Sequence, residues 1–224
     1  MSDRSSNKIG GACGVLAILL TQIGFGVAAY RTPGVGASDK QIADFVSQPR
    51  ASFYGGEFVE LLGFVLLVVF IGRLWAHLRR AEAGDGWLST TAFGSALAAI
   101  AVLLAGHLSA QGAAFYTGRH GAGSRTVASL LDFSAFAQAS SSMLLAVFLG
   151  ATALVVLRHA ALPRWLGWFA AVVALAFPLT LPFPNDFADL PVMLFVLWVV
   201  AASVVLLRRG EHASTAAAAA HAAV

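Results

Sequence analysis

The sequence predicts an all-α fold, a polytopic bundle of six transmembrane helices with both termini in the cytoplasm. Three observations predict it. Hydrophobic residues make up 58% of the 224 residues and charged residues 11%, whereas a soluble domain carries about a quarter charged residues. Six apolar runs are long enough, or nearly so, to cross about 30 Å of hydrocarbon. The charges and aromatic rings between the runs sort onto two sides.

The runs cover residues 9–30, 58–77, 88–115, 130–157, 165–181 and 190–207. The first follows Arg4 and Lys8 as a signal peptide's core would, but it is too long for one and ends without a small-residue cleavage site. It is read as the first membrane helix, retained. The fifth run is the shortest and carries Pro178 near its end. Residues 1–209 thus form one transmembrane domain. Residues 210–224 are an alanine-rich cytoplasmic tail with nothing to pack on, expected to be frayed or disordered.

Nine basic residues (Arg4, Lys8, Arg73, Arg79, Arg80, Arg158, Arg164, Arg208 and Arg209) fall on one side, and five (Arg31, Lys40, Arg50, Arg119 and Arg125) on the other. The richer side is read as cytoplasmic. Trp75, Trp87, Trp165 and Trp168 fall at this inner boundary, and Tyr30, Tyr54 and Tyr116 at the outer one, as interfacial belts require. The longest outer loop, residues 31–57, carries a turn signal at Thr32-Pro33-Gly34 and then Ile42, Phe45 and Val46 spaced as one face of a short interfacial helix.

Helices in lipid associate through small residues. Gly10, Gly14, Ala17, Thr21 and Gly24 form such a stripe on the first helix, and Gly94, Ala98, Ala101 and Ala105 on the third. Ile100, Leu104, His107 and Gln111 share the opposite face of the third helix. Two non-lipid faces predict a central position for it. Leu66, opposite Glu57 and Glu60 on the second helix, is expected to face lipid.

Polar groups inside the membrane gather in the outer half. Glu57 and Glu60 open the second span, His107 and Gln111 lie in the third, and Asp132 begins the fourth, followed on one face by Ser134, Gln138 and Ser141. Buried charges face a bundle interior or a cavity. The candidate ligand-binding residues are therefore Glu57, Glu60, His107, Gln111, Asp132 and Gln138, and His107 and Gln111 are the expected partners of Glu60. A structural account stands beside this one. Asp132 can complement a helix dipole, and His107 and Gln111 can join two helices through the serine face.

The sequence also excludes classes. One cysteine, Cys13, permits no intramolecular disulfide. No HExxH or paired histidine motif, no GxSxG elbow and no phosphate loop occurs, so no metal or other cofactor is expected. Basic residues at helix ends indicate topology and not nucleic-acid binding. The partners expected are membrane lipids, a lipid-like ligand or another membrane protein. The leading reading is a non-enzymatic bundle binding such a partner through its outer half. The alternatives are an intramembrane enzyme using Glu60, His107 and Asp132, or a small transporter. An excess of Arg over Lys and abundant Ala point to a GC-rich bacterial genome, and so to a multi-pass protein of a bacterial inner membrane.

Leu162-Pro163-Arg164-Trp165-Leu166-Gly167-Trp168 is similar to the start of the fifth helix in an uncharacterised family of small bacterial six-helix integral membrane proteins, a domain of unknown function. Gly56-Glu57-Phe58-Val59-Glu60-Leu61-Leu62-Gly63, with Leu78-Arg79-Arg80, is similar to that family's second helix. The resemblance runs over residues 9–209. It implies the fold and the membrane location, and it implies no activity.

Overall fold

The computed structural model describes residues 3–28, 32–82, 84–180 and 189–222, without the side chains of 3, 4, 180, 189 and 209–222. The Asp186 and Asp189 side chains and the side chains of the alanine-rich tail lie outside the described residues. The chain runs through α1 (Asp3–Ala28), α2 (Asp39–Val46), α3 (Arg50–Ala81), α4 (Trp87–Val102), a π-helical turn (Leu103–Leu108), α5 (Ser109–Arg119), α6 (Ser124–His159), α7 (Arg164–Thr180) and α8 (Asp189–Ala222). Among the described residues five stretches are long and apolar enough to cross a membrane: Ser5–Ala28, Arg50–Ala81, Trp87–Arg119, Ser124–His159 and Leu190–Arg208. The chain is thus a multi-pass membrane protein. At 17 residues, α7 is shorter than the ~20 that a straight crossing needs. Large apolar side chains such as Phe136, Leu175, Leu179 and Met193 stand exposed around the bundle, where lipid and not water is the compatible solvent.

The helices contact one another in a closed ring, α1 on α3, α3 on α4, α4 on α6, α6 on α7, α7 on α8 and α8 on α1. The main core fills this ring with Phe70, Leu74, Phe148, Leu149, Trp198 and Leu206 among others. Trp198 places its ring N–H on the Leu166 carbonyl at 3.1 Å, tying α8 to α7. One end of the bundle carries Trp75, Trp87, Trp165 and Trp168, and the other carries Tyr54 and Tyr116. They are called the tryptophan end and the tyrosine end below.

The stripe on α1 packs as its spacing predicts. A β-carbon on Gly14 would run into Phe70 of α3 and Ser203 of α8, and one on Gly24 would come within 2.7 Å of the Glu60 β-carbon. Thr21 fills the space left by Gly63. The stripe on the third helix does not pack. Gly94, Ala98, Ala101 and Ala105 are all exposed, and nothing lies within contact of a β-carbon at Gly94. Buried small residues of this span instead include Ala92, Ala96, Ala99 and Gly106. This helix therefore packs on one side only and is not central. Leu66 is also corrected: it is half-buried and packs against the main core, because α3 meets α1, α4 and α6 on successive faces.

At the tyrosine end the segment between α1 and α3 folds back as a cap. Ser38 and Gln41 form a capping box at the start of α2. Ile42 and Phe45 of α2 are buried with Phe53, Phe115, Val127 and Leu131 in a second, smaller core. Phe53 stacks on Phe115 with ring centroids 4.0 Å apart.

At the tryptophan end a carboxylate closes the start of α4. Glu82 accepts the backbone N–H groups of Leu88 at 3.0 Å and Ser89 at 2.8 Å, two of the donors a helix leaves unpaired at its N-terminus. Burial pushes this carboxyl up. Hydrogen bonds from the Ser89 side chain and from the Ser89 and Leu88 backbones, with the nearby Arg79 charge, outweigh it and hold the group below the usual carboxylate range. Gly86 makes the turn possible at φ 71°, a left-handed conformation that disfavours a side chain.

Candidate functional site

The candidate residues fall into several places and not one. His107 lies in the π-helical turn. There the Ser109 N–H and hydroxyl both bond the Leu104 carbonyl, five residues back, the hydroxyl at 2.8 Å. The wider turn brings Gly106, His107 and Leu108 inward together. Three consecutive residues of a regular α-helix would spread over ~200°. Gly106 permits this because its bare backbone meets the Ala137 methyl of α6. Such turns recur at functional positions.

Both His107 ring nitrogens are engaged. The Gln111 side-chain amide donates to Nε2 at 3.0 Å, so Nδ1 carries the ring proton and faces the Ser134 carbonyl at 3.3 Å and hydroxyl at 2.8 Å. The Ser134 hydroxyl donates to the His107 carbonyl at 3.2 Å. The chain of bonds continues outward, where the Thr32 hydroxyl donates to Gln111 Oε1 at 3.4 Å. Thus the third span, the fourth span and the segment between α1 and α2 are joined by one polar network, buried at His107, Gln111 and Ser134.

Glu60 is not part of it. It is 6% exposed, lies where Gly24 of α1 crosses α3, and forms no hydrogen bond or ion pair among the described residues. The expected pairing of Glu60 with His107 and Gln111 is therefore not found, because α3 turns Glu60 towards α1. Asp132 does not begin its helix: α6 starts at Ser124, and Asp132 accepts the Gly36 N–H at 3.3 Å, ahead of α2. Gln138 is half-buried, and its carbonyl takes the Ser141 and Ser142 hydroxyls. Of the expected serine face, only Ser134 reaches His107. Among the described residues no group of three or more His, Cys, Asp or Glu is placed to hold a metal ion.

Glu57 belongs to a different feature. Nearer the tryptophan end α3 meets α4, with the Trp75 and Phe93 rings 5.1 Å apart. At the tyrosine end α3 meets α5 through Phe53, Tyr54 and Phe115. Between these contacts the helices part around a groove of about 380 Å³, lined by Glu57, Phe58, Leu61, Leu104, Leu108 and Ser109. Phe58 is 59% and Leu61 42% exposed, so the groove opens sideways towards the lipid. Its size falls within the ~300–1,000 Å³ of small-molecule sites.

Beyond the aromatic contact lies a second cavity, of about 230 Å³, lined by Arg50, Tyr54, Tyr116, Arg119 and His120. Arg119 bonds the Val46 and Gln48 carbonyls at 3.1 and 2.7 Å and lies over the Phe115 ring. His120 bonds the Tyr116 carbonyl through Nδ1 at 2.7 Å, and its ring lies on that of Tyr116. Sequence reasoning used Arg50, Tyr54, Tyr116 and Arg119 as topology markers and missed the cavity. The available signal was Arg50, Tyr54, Glu57, Phe58 and Leu61 recurring on one face of a helix. No protein-family model, no curated protein and no solved structure matches this chain.

Proposed function

We propose that the protein crosses a bacterial inner membrane six times, with both termini in the cytoplasm, and binds a lipid-like ligand in the outer half. Its site is the groove between α3 and the π-helical turn. In this reading the tyrosine end is exterior. The sixth crossing is α7. It starts at Arg164 beside the tryptophan end, its Phe177 meets Phe195 of α8, and both features support a crossing by α7. The basic-residue bias and the aromatic belts support the orientation.

The observation that carries the ligand reading is the groove itself. It is apolar along Phe58, Leu61, Leu104 and Leu108, polar at Glu57 and Ser109, and open to the bilayer from the side. An alkyl chain can enter it without crossing water. The test is mass-spectrometric identification of lipids that remain with the protein purified in mild detergent, set against Leu61→Trp, which fills the groove from an exposed position. A bound amphipathic lipid in the wild type, depleted in Leu61→Trp, is the expected result. Equal lipid content in both proteins contradicts the reading.

A further inference from the structure

The two cavities lie in line along α3. Arg50 and Tyr54 line the outer one, and Glu57, Phe58 and Leu61 the inner one. At 1.5 Å per residue, Arg50 stands about 6 Å beyond Tyr54 and Leu61 about 10 Å below it. A tyrosine at the membrane boundary thus places Arg50, Arg119 and His120 in the headgroup layer, and the groove within the ~15 Å of one leaflet's hydrocarbon.

The outer cavity has no acidic residue in its lining. Arg119 spends donors on the Val46 and Gln48 carbonyls, while Arg50 forms no hydrogen bond or ion pair among the described residues. Arg50 is also the first residue of α3, which follows Pro49 and has no side-chain cap. The positive end of the helix dipole therefore adds to the arginine charge. Glu57 lies about two turns further in, at the near end of the groove, and gives the groove a polar rim there.

We infer that the ligand is an anionic phospholipid, its phosphate held by Arg50 and Arg119 and one acyl chain lying along Phe58, Leu61, Leu104 and Leu108. This inference rests on the groove reading above and adds the headgroup class to it.

The test is native mass spectrometry of the detergent-purified protein titrated with dioleoyl-phosphatidylglycerol or dioleoyl-phosphatidylcholine, which share acyl chains and differ in net charge. The wild type is expected to prefer phosphatidylglycerol. Arg50→Gln should lower that preference about fivefold, the effect of one basic residue near an anionic headgroup. Arg50→Lys should retain it, and Leu61→Trp should lose both lipids. An unchanged preference in Arg50→Gln, with binding lost in Leu61→Trp, overturns the headgroup assignment and leaves the groove standing. The same holds if the wild type binds the two lipids equally. Undiminished binding of both lipids to Leu61→Trp removes the groove, and the headgroup assignment with it. Because Arg50 is exposed and its side chain bonds nothing among the described residues, Arg50→Gln should melt with the wild type, which keeps a binding change separable from misfolding.

Discussion

His107 and Ser134 hold each other twice: the serine hydroxyl lies 2.8 Å from the imidazole Nδ1 and 3.2 Å from the His107 carbonyl. Hydrogen bonds between membrane helices contribute ~0.6 kcal/mol on average and up to ~1.7. A buried group left without its partner costs ~1–3 kcal/mol. His107→Ala should therefore destabilise by about 2 kcal/mol and Ser134→Ala by about 1. The double mutant should be less than additive, since the pair is in contact. Glu60→Gln should add independently to His107→Ala, because Glu60 lies against α1 and bonds neither His107 nor Gln111. Thermal melts in detergent read all of these. Strong coupling between Glu60 and His107 would show that the two side chains meet.

The glycine contacts on α1 make a sharper comparison. Gly14→Leu or Gly24→Leu places a bulky side chain into backbone and ring atoms of α3, and should cost ~1–3 kcal/mol or prevent assembly. Ala101→Leu and Val65→Ala change exposed positions and should melt within ~0.5 kcal/mol of the wild type. A large loss for Ala101→Leu would mean that the exposed stripe of the third span is covered.

Glu82 gives a pH signature. Its carboxyl is held low in the fold. The stabilisation is thus fully present above the unfolded value near ~4.3 and is lost as pH falls through the folded value. Glu82→Gln should cost about 1 kcal/mol at neutral pH, as the loss of a helix cap does. The melting temperatures of the two proteins should converge on acidification below about pH 4. A gap that persists in acid would place the effect in packing and not in the charge.

The orientation is open to fusion reporters. Fusions after Arg80 and after Gly210 should read as cytoplasmic, and those within residues 38–49 or after Gly121 as exterior. A cytoplasmic reading at residues 38–49 inverts the topology.

Five of the spans, the small helix Asp39–Val46 and the α1 stripe were legible in the sequence because each depends on local spacing. Ile42 and Phe45 face the core as their separation requires, and Gly14 and Gly24 meet α3 as their repeat requires. What spacing cannot specify is which neighbour a face meets. Ala98 and Ala101 read as contacts yet stand exposed, since lipid accepts alanine as readily as another helix does. The pairing of Glu60 with His107 failed for the same reason: both side chains lie inward, but towards different helices. The π-helical turn shifted the register again, bringing Gly106, His107 and Leu108 inward together, and the only local trace of it is a glycine opposite Ala137. Glu82 escaped notice because a carboxylate six residues ahead of the amide it caps matches no short motif.

The groove is the centre of the account, and a cryo-electron-microscopy map of the protein in lipid nanodiscs tests it most directly. The predicted result is an elongated density between Phe58 and Leu61 on one side and Leu104 and Leu108 on the other, with its head towards Arg50. Closure of α3 onto the π-helical turn, with the groove filled by the protein's own side chains, would contradict it.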